Sequence, residues 1–417
     1  MNISDVLTAE WKPALGCTEP AAVAWAAALA AEQAKGEIRR VKLICDPRTY
    51  KNCHAVGIPN SSYCNGILWA LALGALSRDS SLGLKIFDGN TASAISKARE
   101  LIEQKVISVE VVAGHPELMV CVVVESARGI GKAVIERDHD NLTRLEADGV
   151  SVKGETDSSH GETTTELRAK LAKLGHEERI EMARSLAPGD RERLQEGISL
   201  NLAIARHGLA LLPNDFSIFG ASQPQSKISQ LVASGVFARM SGEALPVMTL
   251  AGSGNKGITV AVPIALWGRE VGASETAIEE ALAMACIMTS IVTHELGTLS
   301  AVCGASNAAG IGTASALVLL EGGGPKQIDL AICNMVGNLA GMICDGAKIG
   351  CAMKTMTGVD AAFRATQLAM AGIGIPATDG IVGEDGKSSL ANLGILAKHG
   401  MKNVDETILH IMQKKLK

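Results

Sequence analysis

Large rings are scarce in this chain: 3% of its 417 residues are aromatic, five Phe, four Trp and two Tyr. With so little bulk, helices must pack through small residues, or the backbone must come close to a ligand, and the 44 glycines suit both. Excess positive charge is missing too. The formal net charge is −5 with both signs interspersed, so no basic stripe is available to neutralise a phosphate backbone, and nucleic acid is not an expected partner. Long apolar runs are also absent: residues 21 to 31 and 281 to 292 fall short of the roughly 20 residues that span a bilayer. They read as buried helices, so no membrane partner is expected. The first residues, MNISDVLTAEWK, lack the basic start and apolar core of a signal peptide, which points to the cytoplasm. There the ten cysteines would be reduced thiols, used for packing, metal binding or catalysis.

The length suits two domains, and the pattern places a boundary in the polar stretch GETDSSHGETTT, residues 154 to 165. Before it lie a helix from Thr18–Pro20 to about Lys35, a strand at 41 to 45, a polar loop over 46 to 66 and a helix over 67 to 76. Short β-rich runs between 106 and 153 read as a small antiparallel sheet. After the boundary the helical period dominates, with helices expected at 166 to 174, 177 to 187, 190 to 211, 225 to 240, 274 to 296, 303 to 320, 327 to 344 and 358 to 371. Thr276 and Glu279 have capping-box spacing. The fold class is therefore α+β: an N-terminal region over 1 to 160 with the small sheet, and a mostly helical region over 161 to 417.

Three stretches could carry chemistry. In AGSGNKG, residues 251 to 257, the glycines formally fit G-x-G-x-x-G. The following ITVAVPI is β-branched and ends in proline where a dinucleotide fold needs a long helix, and no acid lies about 20 residues on. What remains is either a plain turn or a turn whose amides, with Ser253 and Asn255, bind a small anion. In PALGCTEP, residues 13 to 20, Cys17 sits at an expected helix start, where the dipole favours a thiolate while Glu19 opposes it. An ordinary N-terminal turn is the competing reading.

The third stretch is ICDGAKIGC with AVCGASNAAG. Cys303, Cys344 and Cys351 are flanked by glycine, unlike Cys121 and Cys286, which sit in apolar elements where inert thiols are common. In one regular helix Cys344 and Cys351 would face the same side about 10 Å apart, far for a zinc ion and reachable for an iron-sulfur cube. Gly346 and Gly350 argue that the stretch is partly non-helical. Simple packing and a zinc site stay open beside a cluster.

Taken in order, GCTEP, DPRTYKNCHAVGIPN, AGSGNKG, LSAVCGASNAAG and ICDGAKIGCAMK resemble the L-cysteine desulfidase family, itself related to the α chain of iron-sulfur L-serine dehydratases. The resemblance covers nearly the whole chain. It implies a 4Fe-4S cluster on Cys303, Cys344 and Cys351 with one iron open to substrate, no pyridoxal phosphate, and Cys17 as the base. The implied reaction is α,β-elimination on L-cysteine to hydrogen sulfide, ammonia and pyruvate, with L-serine or L-threonine dehydration, or a non-catalytic small-molecule-binding protein, as alternatives. Lys51, Asn52, Ser253 and Asn255 are expected as contacts to the amino-acid substrate by residue type and motif position. Cys53, IPNSSYC and ASN at 305 to 307 depart from the family pattern near the presumed pocket. The many small apolar residues point to a homo-oligomer.

Overall fold

A computed structural model describes residues 1–112, 114, 118–153, 164–213 and 223–415. In chain order the first elements are α1 (Ile3–Glu10), β1 (Trp11–Leu15), α2 (Thr18–Ala34), β2 (Ile38–Cys45), α3 (Pro47–Cys53), α4 (Ile67–Ser77) and α5 (Ala92–Glu103). A sheet follows with β3 (Ile107–Val111), β4 (Met119–Ser126), β5 (Gly129–Glu136), β6 (Leu142–Ala147) and β7 (Val150–Lys153). Then come α6 (Thr164–Lys173), α7 (His176–Arg184), α8 (Pro188–Ala210), α9 (Pro224–Ser241), β8 (Pro246–Leu250), α10 (Gly254–Glu270), α11 (Glu275–Leu296) and α12 (Gly304–Leu320). The chain continues with α13 (Pro325–Leu339), α14 (Cys351–Met370), α15 (Gly386–Ile395) and α16 (Val404–Lys415). The α+β class holds. Of the boundary expected at 154 to 165, residues 154 to 163 lie outside the described residues, and Thr164 already opens α6.

Apolar side chains gather into two cores. One is built from α2, α4 and the sheet; the other from the helices from α6 onward together with α1, β1 and Cys17 of the N-terminal segment. The scarcity of rings is met by close backbone approach: a Cβ on Gly74 of α4 would stand 2.1 Å from the carbonyl of Ala24 in α2. Alanine and glycine let these two helices pack almost backbone to backbone.

The sheet differs from the purely antiparallel one expected over 106 to 153. Its order is β3-β2-β4-β5-β6-β7, and β2 runs parallel to β3, because α3, α4 and α5 form the crossover between them. The loop expected over 46 to 66 contains α3, started by Asp46, whose side chain accepts from the amides of Arg48 (2.8 Å) and Thr49 (3.0 Å), with Pro47 preset in the first turn. The N-cap of α11 is Ser274, which accepts from Ala277 N at 3.2 Å, while Glu279 faces Arg191 at 2.6 Å. The Thr276–Glu279 capping box is therefore not formed.

The β-branched run after AGSGNKG is helix, not strand, since Ile258 to Val262 are all buried in the helical core and tertiary packing overrides propensity. Pro263 sits inside α10 and cannot donate to the carbonyl of Thr259; the Thr313 hydroxyl donates to that oxygen instead, at 3.0 Å. A long helix thus does follow the glycines. The dinucleotide reading fails on topology instead: β8 pairs antiparallel with β1 in a two-stranded ribbon, not in a parallel βαβ unit. One described helix, Glu275–Leu296, is long and apolar enough by length and composition to cross a membrane, and it is largely buried in the helical core.

Candidate active site

One cavity is lined by Cys17, Lys51, Asn52, Ser253, Asn255, Cys303, Cys344 and Cys351, so residues spread over 335 positions of sequence (351 − 17 + 1) meet at one place. Two cores and three loops make this meeting. The GCTEP turn leaves β1 and starts α2 with Cys17 as its N-cap. Its neighbour is the AGSGNKG turn, which leaves β8 and starts α10 with Ser253 as N-cap. The Thr18 hydroxyl joins the two turns, lying 3.0 Å from the carbonyl of Gly252 and 3.1 Å from Glu19 Oε2.

Cys17 and Glu19 form a buried acid–thiol pair. The Cys17 thiol donates to Glu19 Oε2 at 3.0 Å, and Asn52 Nδ2 donates to Glu19 Oε1 at 3.1 Å. Burial pushes the Cys17 thiol well up, and the Glu19 charge pushes it further; the Arg239 guanidinium opposes both without winning. Burial acts to raise Glu19 as well, but His139, the Cys17 hydrogen bond and Arg239 together hold its carboxyl below the ordinary value. The pair therefore rests as thiol and carboxylate. Of the two opposed influences expected on Cys17, the helix dipole loses, because desolvation and the like charge of Glu19 outweigh an effect of about 0.3–1 kcal/mol.

The basic groups around this pair are held by the protein. Arg239 Nη1 donates to Asn255 Oδ1 and Nη2 to the carbonyl of Gly16, both at 2.8 Å. Asn255 Nδ2 lies 3.6 Å from Met240 Sδ, so its amide is engaged on both sides. Lys51 is fully buried; its ammonium bonds Asp405 of α16 and donates to the carbonyl of Cys344 at 2.7 Å. Ser253 is half-buried on the cavity wall. Lys256 was not singled out by sequence, yet it is buried on the same wall, donating to Ala251 O and Thr293 Oγ1 at 3.0 Å. Burial, with Arg168, pushes it down to about 7. His139 and Arg239 also line the cavity without having stood out in the sequence, since neither lies in a recognisable motif.

The three glycine-flanked cysteines line the same cavity, next to Lys51, whose ammonium donates to the Cys344 carbonyl. A bridge between Val302 and Ile343 ties their loops: Cys303 N donates to Met342 O at 2.8 Å and Cys344 N to Ala301 O at 2.7 Å. Cys303 is the N-cap of α12, Cys351 is the first residue of α14, and Cys344 sits on the irregular segment between α13 and α14. This segment confirms the non-helical expectation. Helix α13 stops at Leu339 and α14 starts at Cys351, not at 358, and Gly346 at φ 96 lies so close to α3 that a Cβ would stand 2.3 Å from the carbonyl of Lys51. Of the departures from the family pattern, Cys53 is fully buried behind Glu19, and Ser306 lies 3.4 Å from Cys303 Sγ.

Cysteine thiols are the donor type that an iron-sulfur cluster takes, and zinc takes them too. Burial, then Cys344, pushes the Cys303 thiol up, and burial with the Cys303 charge pushes Cys351 up to about 11. Neutral thiols are what an apolar wall imposes; a multiply charged metal centre reverses it, and the N-termini of α12 and α14 favour thiolates further. Among the described residues no group of three or more His, Cys, Asp or Glu side chains is drawn together closely enough to hold a metal ion. All ten cysteines are free. Cys286 is fully buried in α11, the packing role expected of it, and Cys121 is half-buried in β4.

Fold and site together define an α+β protein in which both parts of the chain line one cavity that holds a buried acid–thiol pair and three further cysteines. Residues 125 to 410 match the serine dehydratase alpha chain family. A UPF0597 protein of Desulfatibacillum aliphaticivorans is 35% identical to the chain, covering 99% of it and 98% of the relative. A UPF0597 protein of Caldanaerobacter subterraneus subsp. tengcongensis is 36% identical with the same coverage, and one of Desulforapulum autotrophicum is 37% identical over 100% and 98%. The chain belongs to the serine dehydratase alpha chain family and carries a serine-dehydratase-like scaffold.

Proposed function

We propose that the protein is a lyase that eliminates the β-substituent of a small amino acid, L-cysteine first, with a 4Fe-4S cluster held by Cys303, Cys344 and Cys351. The observation that carries this reading is the single cavity shared by the Cys17–Glu19 pair and the three thiols. When bound there, the cluster supplies a Lewis-acidic iron that polarises the substrate's carboxylate and takes charge from the departing group. Glu19 accepts the Sγ proton of Cys17, and the resulting thiolate takes the Cα proton of the substrate. The C–S bond breaks with its electron pair leaving on sulfur as hydrosulfide, which is protonated to hydrogen sulfide; the aminoacrylate tautomerises and hydrolyses to pyruvate and ammonia. Asn52 fixes the carboxylate that receives the proton.

A second reading, dehydration of L-serine or L-threonine by the same proton relay, is favoured by the family to which the chain belongs. The two differ in whether the pocket satisfies a hydroxyl, since a site built to hydrogen-bond one rejects its absence strongly. Anaerobic reconstitution followed by parallel assays for pyruvate and sulfide with L-cysteine, L-serine and L-threonine separates them. Pyruvate with stoichiometric sulfide from L-cysteine supports the first reading. Pyruvate or 2-oxobutyrate from the hydroxy amino acids alone supports the second, and no product from any of the three overturns both.

A further inference from the structure

The turn between β5 and β6 carries His139 out of the sheet and against the helical half. Glu136 N and Asn141 N close this turn on Asn141 O and Asp138 O, both at 3.2 Å, and the Asn141 side chain donates to Glu136 O at 2.9 Å. Lys12 of β1 reaches Asp140 at 3.6 Å, which ties the turn to the neighbouring ribbon. The His139 side chain is 6% exposed, and its Nε2 has no hydrogen-bond partner among the described residues. It lines the Cys17–Glu19 cavity and also an adjoining cavity toward Lys12 and Lys85, so it stands where the two meet. Buried polar nitrogens in native interiors are nearly always partnered, so one that is not calls for an explanation.

The other buried nitrogens at this cavity are used or blocked. Lys51 is held by Asp405 and the Cys344 carbonyl, and Lys256 by Ala251 and Thr293. Both guanidinium Nη atoms of Arg239 are bonded, and its Nε, also without a partner, is pressed against the backbone of α10, where a Cβ on Gly254 would stand 2.4 Å from it. His139 Nε2 is left as a buried side-chain nitrogen, on a residue that lines the cavity, without a hydrogen-bond partner among the described residues. Of the groups on a zwitterionic amino acid, the ammonium cannot accept and a thiol accepts weakly, whereas the carboxylate accepts strongly.

Resting on the amino-acid reading above, we propose that His139 is a further catalytic residue, whose Nε2–H donates a hydrogen bond to the carboxylate of the bound substrate. The sheet then does more than scaffold the helices: it delivers one contact of the site. The test uses calorimetry on the reconstituted full-length protein under anaerobic conditions, with L-alanine, which has no β-leaving group, and ethylamine, which lacks the carboxylate. Wild type is expected to prefer L-alanine, His139→Phe to lose at least tenfold of that preference, and His139→Gln, whose amide N–H still donates, to keep most of it. Should His139→Phe fail to fold, His139→Leu, which also has no donor, takes its place. Equal L-alanine affinity in wild type and the donor-less variant overturns the proposal, as does an equal loss for both ligands or no L-alanine binding by wild type. Binding that obeys the expected pattern in a protein that eliminates nothing would refute the proposed function and leave His139 as a carboxylate contact.

Discussion

Glu19→Gln separates the two members of the buried pair with almost no change in volume. The carboxylate accepts from Cys17 and Asn52, so the amide keeps the shape and loses the proton acceptor. Positioned general bases contribute about 10²–10⁴ in rate. At 1.36 kcal/mol per decade this is about 3–5 kcal/mol of barrier, and kcat at neutral pH should fall by that factor with the cluster spectrum unchanged. The substitution also removes a charge that raises the Cys17 thiol, so the thiolate forms at lower pH than in wild type and the variant should regain rate as pH rises. A stability readout carries its own sign. The Glu19 carboxyl is depressed in the fold, so its contribution is full above the unfolded carboxyl value of about 4.3 and is lost as pH falls through the lower folded value. Glu19→Gln should therefore lack that part of the acid-side loss in urea titrations. A variant with wild-type kcat at neutral pH would refute the relay, whatever its stability.

Other outcomes follow from the packing of the site. Cys351→Ala should abolish or destabilise the reconstituted cluster absorbance, while Cys121→Ala on β4 should leave it intact. Asp405→Ala leaves the buried Lys51 ammonium without its carboxylate and should cost about 3–5 kcal/mol in urea unfolding; a loss below about 1 kcal/mol would mean that α16 does not fasten α3. Thr313→Val removes the donor to the Thr259 carbonyl that Pro263 leaves open and should cost about 1–3 kcal/mol, whereas Thr357→Val on the exposed face of α14 should stay within about 0.5 kcal/mol.

Helical period in the second half of the chain gave most helices to within a few residues, because each buries an apolar stripe in a common core. Where local signals and tertiary packing disagreed, the local signal misled: ITVAVPI has strand composition and is helical because every residue from Ile258 to Val262 is buried in the helical core. The β2–β3 crossover was illegible for a different reason, since strand direction depends on how far α3 to α5 carry the chain and not on β2 or β3 themselves. The motif residues share one cavity, yet the resting charge on Cys17 depends on Glu19 and burial together, which spacing cannot weigh. His139 and Arg239 come to that cavity from a hairpin turn and a helix, and nothing in their local sequence marks a cavity wall, whereas Lys256 lies in the AGSGNKG motif and only its residue type was passed over.

The most direct test of the central claim is the anaerobically reconstituted protein, assayed for pyruvate and sulfide with L-cysteine while its visible spectrum is recorded, beside Cys17→Ser. The expected result is a cluster absorbance common to both proteins, with pyruvate and sulfide in equal amounts from wild type only. A colourless protein holding stoichiometric zinc, or a Cys17→Ser variant that turns over at the wild-type rate, would contradict it.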